Sequence, residues 1–519
     1  MSQRGKKYLL IPSVPTPNGG LHLGHIGGPY LAADVLARYL RMRGAEALVM
    51  SGTDSYESYV TLQAAKEMRP PDSVCHAYHE RIVNDLEVMQ ISMDEFVNPL
   101  SLRWNAVYSG WHYRILQQLQ DAGSILRVNE NMPWDPVRKM YLAGCWLQGK
   151  CPQCALEVTG YFCENCGAHF RPEELSHDSG LLHREVTNLF LRLQDICRLS
   201  ETGIQPEIES SYRQYLNRQQ GMLRLTANNP WGLYHDDEST LFNYGFIFAY
   251  FLMLGEIASQ RLHANENAFS ADSSIITIAC FGIDNAIPFL ASVLGITNAC
   301  AEFKPFDYYL ANHFYLLEGR KFSTSRRHAI WVKDFSGSEK LITDCVRYYL
   351  SSINVRENQG DFIMSEFKAC CLRMMDCVQR LVIPALQQIA DVPITAIGAD
   401  MMEEMESALA RQEQAMRPVR YLPQTATDQV EVWIQSGEGH AKADGNAFWW
   451  LKGLCLLVYP MMPHLGQEMW FALGYDGAPD SLELSRLPER RVRPLEMRIV
   501  SIQDISLDRW TREVMCHAG

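Results

Sequence analysis

The sequence predicts an α/β fold: a doubly wound parallel sheet, split by a cysteine-rich insertion and followed by an α-helical bundle. Apolar runs at Tyr8–Val14 and Ala47–Ser51 flank an amphipathic helical pattern over Ile26–Leu40, the strand-helix-strand unit of a parallel sheet. A second such passage, a strand over Ile275–Gly282 with a helix over Ile287–Leu294, lies far downstream, so a long insertion separates the halves. From about Lys340 onward the apolar spacing is helical, at Leu341–Leu350, Ser365–Ala390, Met401–Met416 and Phe448–Leu473, which suits a bundle. A chain of 519 residues exceeds one hydrophobic core. The expected division is a first catalytic half over 1–115, an insertion over 116–230, a second half over 231–339 and a helical part over 340–519.

Composition narrows the class. Hydrophobic residues at 47% and charged residues at 21% describe an ordinary soluble globular protein. The apolar run Phe246–Leu254 is too short to span a bilayer, so no membrane partner is expected. A net charge of -13 means that any nucleic acid must be met by a local basic patch. Arg4, Lys6 and Lys7 precede an apolar stretch as in a signal peptide, but Pro12, Pro15 and Pro17 break it. With 15 scattered cysteines, an odd number, a reducing cytoplasm is expected.

The first chemical motif is Pro17-Asn18-Gly19-Gly20-Leu21-His22-Leu23-Gly24-His25. It places a Gly-rich turn and a helix N-terminus at the carboxyl end of the first strand, where backbone N–H groups and the helix dipole favour phosphate. His22 and His25, three residues apart, share a helix face and can converge on the same phosphates. Gly24 between them allows close approach to the backbone. Paired histidines at this spacing also occur as caps or core residues.

In the insertion, Cys151-Pro152-Gln153-Cys154 and Cys163-Glu164-Asn165-Cys166 form two CxxC knuckles. Two thiolates from each of two tight turns close a tetrahedral shell around zinc, and four thiolates with no open position make a structural site. Gly160 and Gly167 suit the turns. Further on, Gly319-Arg320-Lys321-Phe322-Ser323-Thr324-Ser325-Arg326-Arg327 is a basic, Ser/Thr-rich loop whose cations suit charge on departing phosphates. An exposed basic loop or a phosphorylation site reads the same way.

Taken together, these motifs resemble a class I aminoacyl-tRNA synthetase of the methionyl type. His22-Leu23-Gly24-His25 resembles the family's HIGH signature, with its Pro-x-x-Asn-Gly lead-in, and Lys321 to Ser325 resembles the KMSKS loop. The knuckles with Gly167-Ala168-His169-Phe170-Arg171-Pro172 are similar to its connective insertion, and Met462-Pro463-His464 through Trp470 to the last helix of its anticodon-binding bundle. The resemblance implies a Rossmann-like fold with ATP, taken with Mg2+, lying across the crevice. His22, His25 and Lys321 would be the catalytic groups. Asn18, Gly24, Gly282, Asp284, Ser323 and Ser325 would bind ATP, with Asp284 gripping the ribose. Val14, Thr16 and Asp54 would hold the amino acid, methionine by default, and tRNA would be the acceptor.

The sequence also departs from that pattern. Thr324 stands where the loop normally has a second lysine. Val14-Pro15-Thr16 replaces Leu-Pro-Tyr, and Asp54-Ser55-Tyr56-Glu57 replaces Asp-x-His-Gly. Phe246-Ile247-Phe248-Ala249-Tyr250-Phe251 has no counterpart of Trp-x-Asp-Ala-Pro. Ile283 replaces a lysine, and Phe289 or Pro288 a pocket histidine. Changing several contacts in one small pocket changes which side chain fits. Asp54 is a candidate for the substrate ammonium or for the cap of the following helix. Met416–His440 lacks the Asn-x-Tyr and Pro-Trp signature of the anticodon domain. The tail cluster Arg486, Arg490, Arg491, Arg493 and Arg498 suits either RNA or nearby acids. Three readings follow: a methionyl enzyme, a diverged paralogue that activates another amino acid or uses a non-tRNA acceptor, and a silent RNA-binding regulatory paralogue.

Overall fold

The computed structural model describes residues 3–163, 170–175, 182–193, 199, 202–322, 328–440 and 446–496. Five parallel strands form the central sheet: β1 (Lys7–Pro12), β2 (Glu46–Gly52), β3 (Glu95–Val97), β4 (Ile276–Gly282) and β5 (Tyr308–Asn312), in the order β5-β4-β1-β2-β3. The strand order reverses between β1 and β4, whose registers pair Tyr8 with Ile276 and Pro12 with Cys280. This is the switch point at which α/β sheets bind ligands beyond the carboxyl ends of the strands. After Lys7 the central strand β1 is buried along its length (Leu9, Leu10 and Ile11 have no exposed surface) because helices cover both faces of a parallel sheet.

The helix expected over Ile26–Leu40 is interrupted. A short turn, Leu23–His25, runs into a wide turn over Ile26–Tyr30, and the regular helix is Leu31–Met42. Pro29 has no N–H to donate, and Gly28 leaves helical geometry with ψ -116. The break lets neighbours in: a Cβ on Gly27 would lie 2.9 Å from the Tyr315 ring, and one on Gly28 3.0 Å from Asn312 Nδ2.

Between the sheet halves, an antiparallel sheet joins Ile125–Asp135, Leu182–Arg192 and Met222–Arg224, with Met140–Tyr141 at its edge. Its interior holds Glu130, whose carboxylate accepts from Arg224 Nη1 at 2.7 Å and from Asn188 Nδ2 at 2.9 Å. The insertion docks on the helix Ser58–Glu67 through Ser58 Oγ, which accepts from Cys145 N (2.9 Å), and through Trp146 Nε1, which donates to Thr61 Oγ1 (2.9 Å).

The last part is helical: Lys340–Ser352, Met364–Cys377 continuing through a wide turn to Ile389, Ala399–Ala415, Pro423–His440, Ala447–Val458 and Pro463–Ala472. The expected single helix over Phe448–Leu473 is two, because Pro460 and Pro463 cannot continue the hydrogen-bond ladder. No helix among the described residues is long and apolar enough to cross a membrane. In the tail, Arg486 pairs with Asp480 (3.2 Å) and Arg490 with Asp476 (2.8 Å), so these two neutralise nearby acids; Arg498 lies outside the described residues.

Candidate active site

The loop leaving β1 is fixed before it reaches the histidines. Pro15 O accepts from Asp54 N (2.9 Å), and Asn18 N donates to Thr16 O (2.9 Å). Asp85, on the helix Pro71–Val88, accepts from Leu21 N at 2.7 Å. His22 then caps the short turn, its Nδ1 accepting from His25 N, while His25 Nδ1 accepts from His22 N, both at 3.3 Å. The rings stack with centroids 3.7 Å apart and planes 11° from parallel.

This reciprocity sets the chemistry of both rings. Burial and the adjacent His25 push the pKa of His22 well below its ordinary value. His25 is exposed, but the protein crowded around it pushes its pKa down to about 4. Both are neutral at pH 7. A neutral imidazole that accepts at Nδ1 carries its proton on Nε2, so the pair offers two Nε2–H donors from stacked rings. The close approach that Gly24 permits is by side chains: a Cβ there would lie 3.1 Å from the His22 ring and from Phe322.

The two flanks of the distant basic loop come to the same place. The strand Arg320–Lys321 pairs with Tyr315–Leu317, and Phe322 stacks on His22 at 5.1 Å. Beyond the loop, Leu23 N donates to Ile330 O (3.0 Å), Val332 N donates to Leu21 O (3.1 Å), and Trp331 meets the His22 ring edge-on at 5.9 Å. Lys321 is exposed, its Nζ 4.3 Å from the centre of the Phe314 ring. Ser323, Thr324, Ser325, Arg326 and Arg327 lie outside the described residues. At the end of β4, Asp284 is exposed in the turn Ile283–Asn285. A Cβ on Gly282 would lie 2.5 Å from Asp284 Oδ1, so only glycine leaves that carboxylate in place.

Asp54 follows β2 and is 5% exposed. It is not the helix cap: Glu57 caps Ser58–Glu67, its Oε2 accepting from Tyr59 N at 2.6 Å and its Oε1 from Ser58 Oγ at 3.0 Å. Asp54 Oδ1 instead accepts from Asn243 Nδ2 at 2.6 Å. Burial, reinforced by the charge of Glu57, holds its carboxyl well above the usual carboxylate range. Val14 and Thr16 are half-buried in the loop that abuts Asp54, with Val14 packed on the core. Ile283 also packs on the core. Phe289 is buried between Phe281 (4.8 Å) and Phe251 (4.9 Å).

In the insertion, the sulfurs of Cys151, Cys154 and Cys163 lie within 4.8 Å of one another, Cys154 and Cys163 at 3.6 Å. Zn–S bonds of about 2.3 Å put tetrahedral sulfurs about 3.8 Å apart, so the three described thiols fit a zinc ion. Gly160 supplies a turn with φ +90; Cys166 and Gly167 lie outside the described residues.

Sequence reasoning missed Phe322, Trp331, Asp85, Asn243 and the capping role of Glu57. Only Glu57 had a local signal, an acid immediately before a helix.

A parallel sheet carrying a paired-histidine loop at its switch point, with a basic loop folded onto it, defines a nucleotide-binding protein of the doubly wound class. The chain belongs to the family described as tRNA synthetases class I (M), which matches residues 8–373, and so is an enzyme of the aminoacyl-tRNA synthetase type. Over 96% of its length it is 25% identical to the methionine–tRNA ligase of Pyrococcus horikoshii, covering 76% of that protein. Over 70% of its length it is 29% identical to the methionine–tRNA ligase of Thermococcus onnurineus, covering 53% of it, about half that relative's length. Its fold is similar to that of a Mycobacterium tuberculosis methionyl-tRNA synthetase solved with methionyl-adenylate, with a TM-score of 0.66, 14% identity and coverage of 96% of this chain and 99% of that one.

Proposed function

We propose that this protein activates an amino acid with ATP and transfers it to tRNA. The observation that carries the reading is the stacked His22–His25 pair, whose two Nε2–H donors lie at the switch point with Phe322 of the basic loop against them. The amino acid carboxylate attacks the α-phosphorus, the bond to the bridging oxygen breaks, and pyrophosphate leaves. His22 and His25 hold the phosphates as neutral donors, and Lys321, with Ser323 and Ser325 of its loop, meets charge on the leaving pyrophosphate. Asn18 and Gly24 shape the phosphate loop, and Asp284 beside Gly282 grips the ribose. Asp54, beside the loop that carries Val14 and Thr16, receives the substrate ammonium. The acyl group then passes to a ribose hydroxyl at the tRNA end. Positioning and charge stabilisation do most of this work.

Methionine is the substrate that the names of the relatives support. A second reading, activation of a different amino acid, is favoured by Phe289, which is packed into the aromatic core. Amino-acid-dependent ATP–pyrophosphate exchange across a panel of amino acids, with tRNA present, separates them. Exchange with methionine favours the first and exchange with another amino acid the second. No exchange with any overturns activation itself.

Zinc is proposed for the thiol cluster, held by Cys151, Cys154 and Cys163 with Cys166 as fourth ligand; when bound it cross-links the two knuckles. Cys154→Ser is expected to lose zinc on metal analysis and to speed amide exchange across the insertion. Full zinc retention in that variant would rule out the four-cysteine shell.

A further inference from the structure

The amino-acid end of the cleft holds two buried carboxylates. Asp54 is 5% and Glu57 9% exposed, and among the described residues neither has a cation within ion-pair distance. Asp54 takes a neutral amide, Asn243, and Glu57 takes a backbone N–H and a hydroxyl. Buried carboxylates are costly without a compensating cation. Burial comes first in pushing both groups upward, and Glu57 adds to the shift at Asp54.

A small pocket opens beside Glu57. It is lined by Tyr56, Glu57, Ser58, Asn229, Asn243 and Tyr244 among others. Asn243 ties it to Asp54, because the same amide that borders the pocket donates to that carboxylate. Tyr244 ties it to the nucleotide end: its phenol, pushed up first by burial, also feels the charges of Glu57, Asp54 and Asp284. Phe251, Phe281 and Phe289 pack ring to ring in the apolar core and take no part in lining this pocket. Asp54 and Glu57, three residues apart and near enough for the charge of Glu57 to act on Asp54, therefore present two buried carboxylates to one ligand.

We propose that Glu57 is a specificity-determining residue, and that the amino acid activated here carries a second cation, an ammonium or guanidinium at the end of its side chain. One substrate cation meets Asp54 and the other meets Glu57, so the ligand neutralises both buried acids at once. A thioether or an alkyl side chain leaves the Glu57 carboxylate buried without a counter-charge. The inference rests on the activation reading above and names the substrate class within it.

The test is exchange by the full-length protein, with tRNA present, comparing lysine, arginine, ornithine and 2,4-diaminobutyrate with methionine, leucine and glutamate. A basic amino acid is expected to exceed methionine by about 100-fold or more in kcat/KM. Glu57→Gln keeps an oxygen to cap Tyr59 N. It is expected to raise KM for the basic amino acid by about tenfold or more, with kcat and the KM for ATP nearly unchanged. Calorimetric binding of lysyl- and methionyl-sulfamoyl adenosine to the unmodified protein asks the same question without a variant, and the lysyl compound is expected to bind tighter. Best exchange with methionine or another neutral amino acid overturns this inference and leaves activation standing, whereas no exchange at all overturns both. An unaltered KM in Glu57→Gln removes Glu57 from the assignment.

Discussion

His22→Ala is expected to lower ATP–pyrophosphate exchange by about 10²–10³-fold, the loss that follows removal of one preorganised donor to developing charge. Four contacts converge on this ring: the cap to His25 N, the stack on His25, the stack on Phe322 and the edge of Trp331. Its Nε2–H takes no part in the cap and is the donor assigned above to phosphate. Loss of the cap costs about 1 kcal/mol, so the melting temperature should fall by only a few degrees while exchange collapses. Because the ring is neutral at pH 7 and donates without being protonated, the defect should be equally deep at pH 6.5 and pH 8. Exchange within a factor of three or so of the parent protein would exclude a phosphate role for His22.

Arg347→Leu is expected to cost about 3–5 kcal/mol of stability, read as a lowered urea midpoint. Arg347 has no exposed surface. It donates from Nη2 to Asp34 at 2.6 Å and to Pro460 O at 3.2 Å, from Nε to Met461 O at 3.0 Å and from Nη1 to Met89 O at 3.2 Å. These partners come from the first helix after the histidine loop, the residue that ends the helix over Pro71–Val88 and the break between the last two bundle helices, so one side chain pins three parts of the chain. Burial alone would raise the Asp34 carboxyl, but Arg38 and Arg347 hold it below its ordinary value. Leucine would leave that carboxylate with Arg38 as its one cation, beside the Ser92 N–H at 2.9 Å, and strand three carbonyls. Asp34→Asn added to Arg347→Leu should recover part of the loss, as expected for groups in contact. A midpoint unchanged by Arg347→Leu would show that the contacts are dispensable.

Local patterns were legible where a run of apolar residues was long or a motif was contiguous. β1, β2 and β4 lie within a residue or two of their expected positions, and so do most bundle helices. β3 is three residues long, too short to show periodicity. The helix Pro423–His440 carries glutamines, a serine and two glycines, which dilute its apolar stripe. The wide turn over Ile26–Tyr30 was written in Gly27-Gly28-Pro29, but its purpose, making room for Tyr315 and Asn312, was not.

From the sequence came the chemistry-bearing types: the two histidines, the basic loop and the cysteine knuckles, because each depends on residues a few positions apart whose geometry the backbone dictates. Which residues surround them was decided only by tertiary packing. Phe322 against His22, Asn243 on Asp54 across 189 positions, and Glu57 facing a pocket closed by the insertion are contacts between segments remote in the chain. No local periodicity encodes such contacts; they exist because burying the apolar faces of sheet, insertion and bundle brings these groups together.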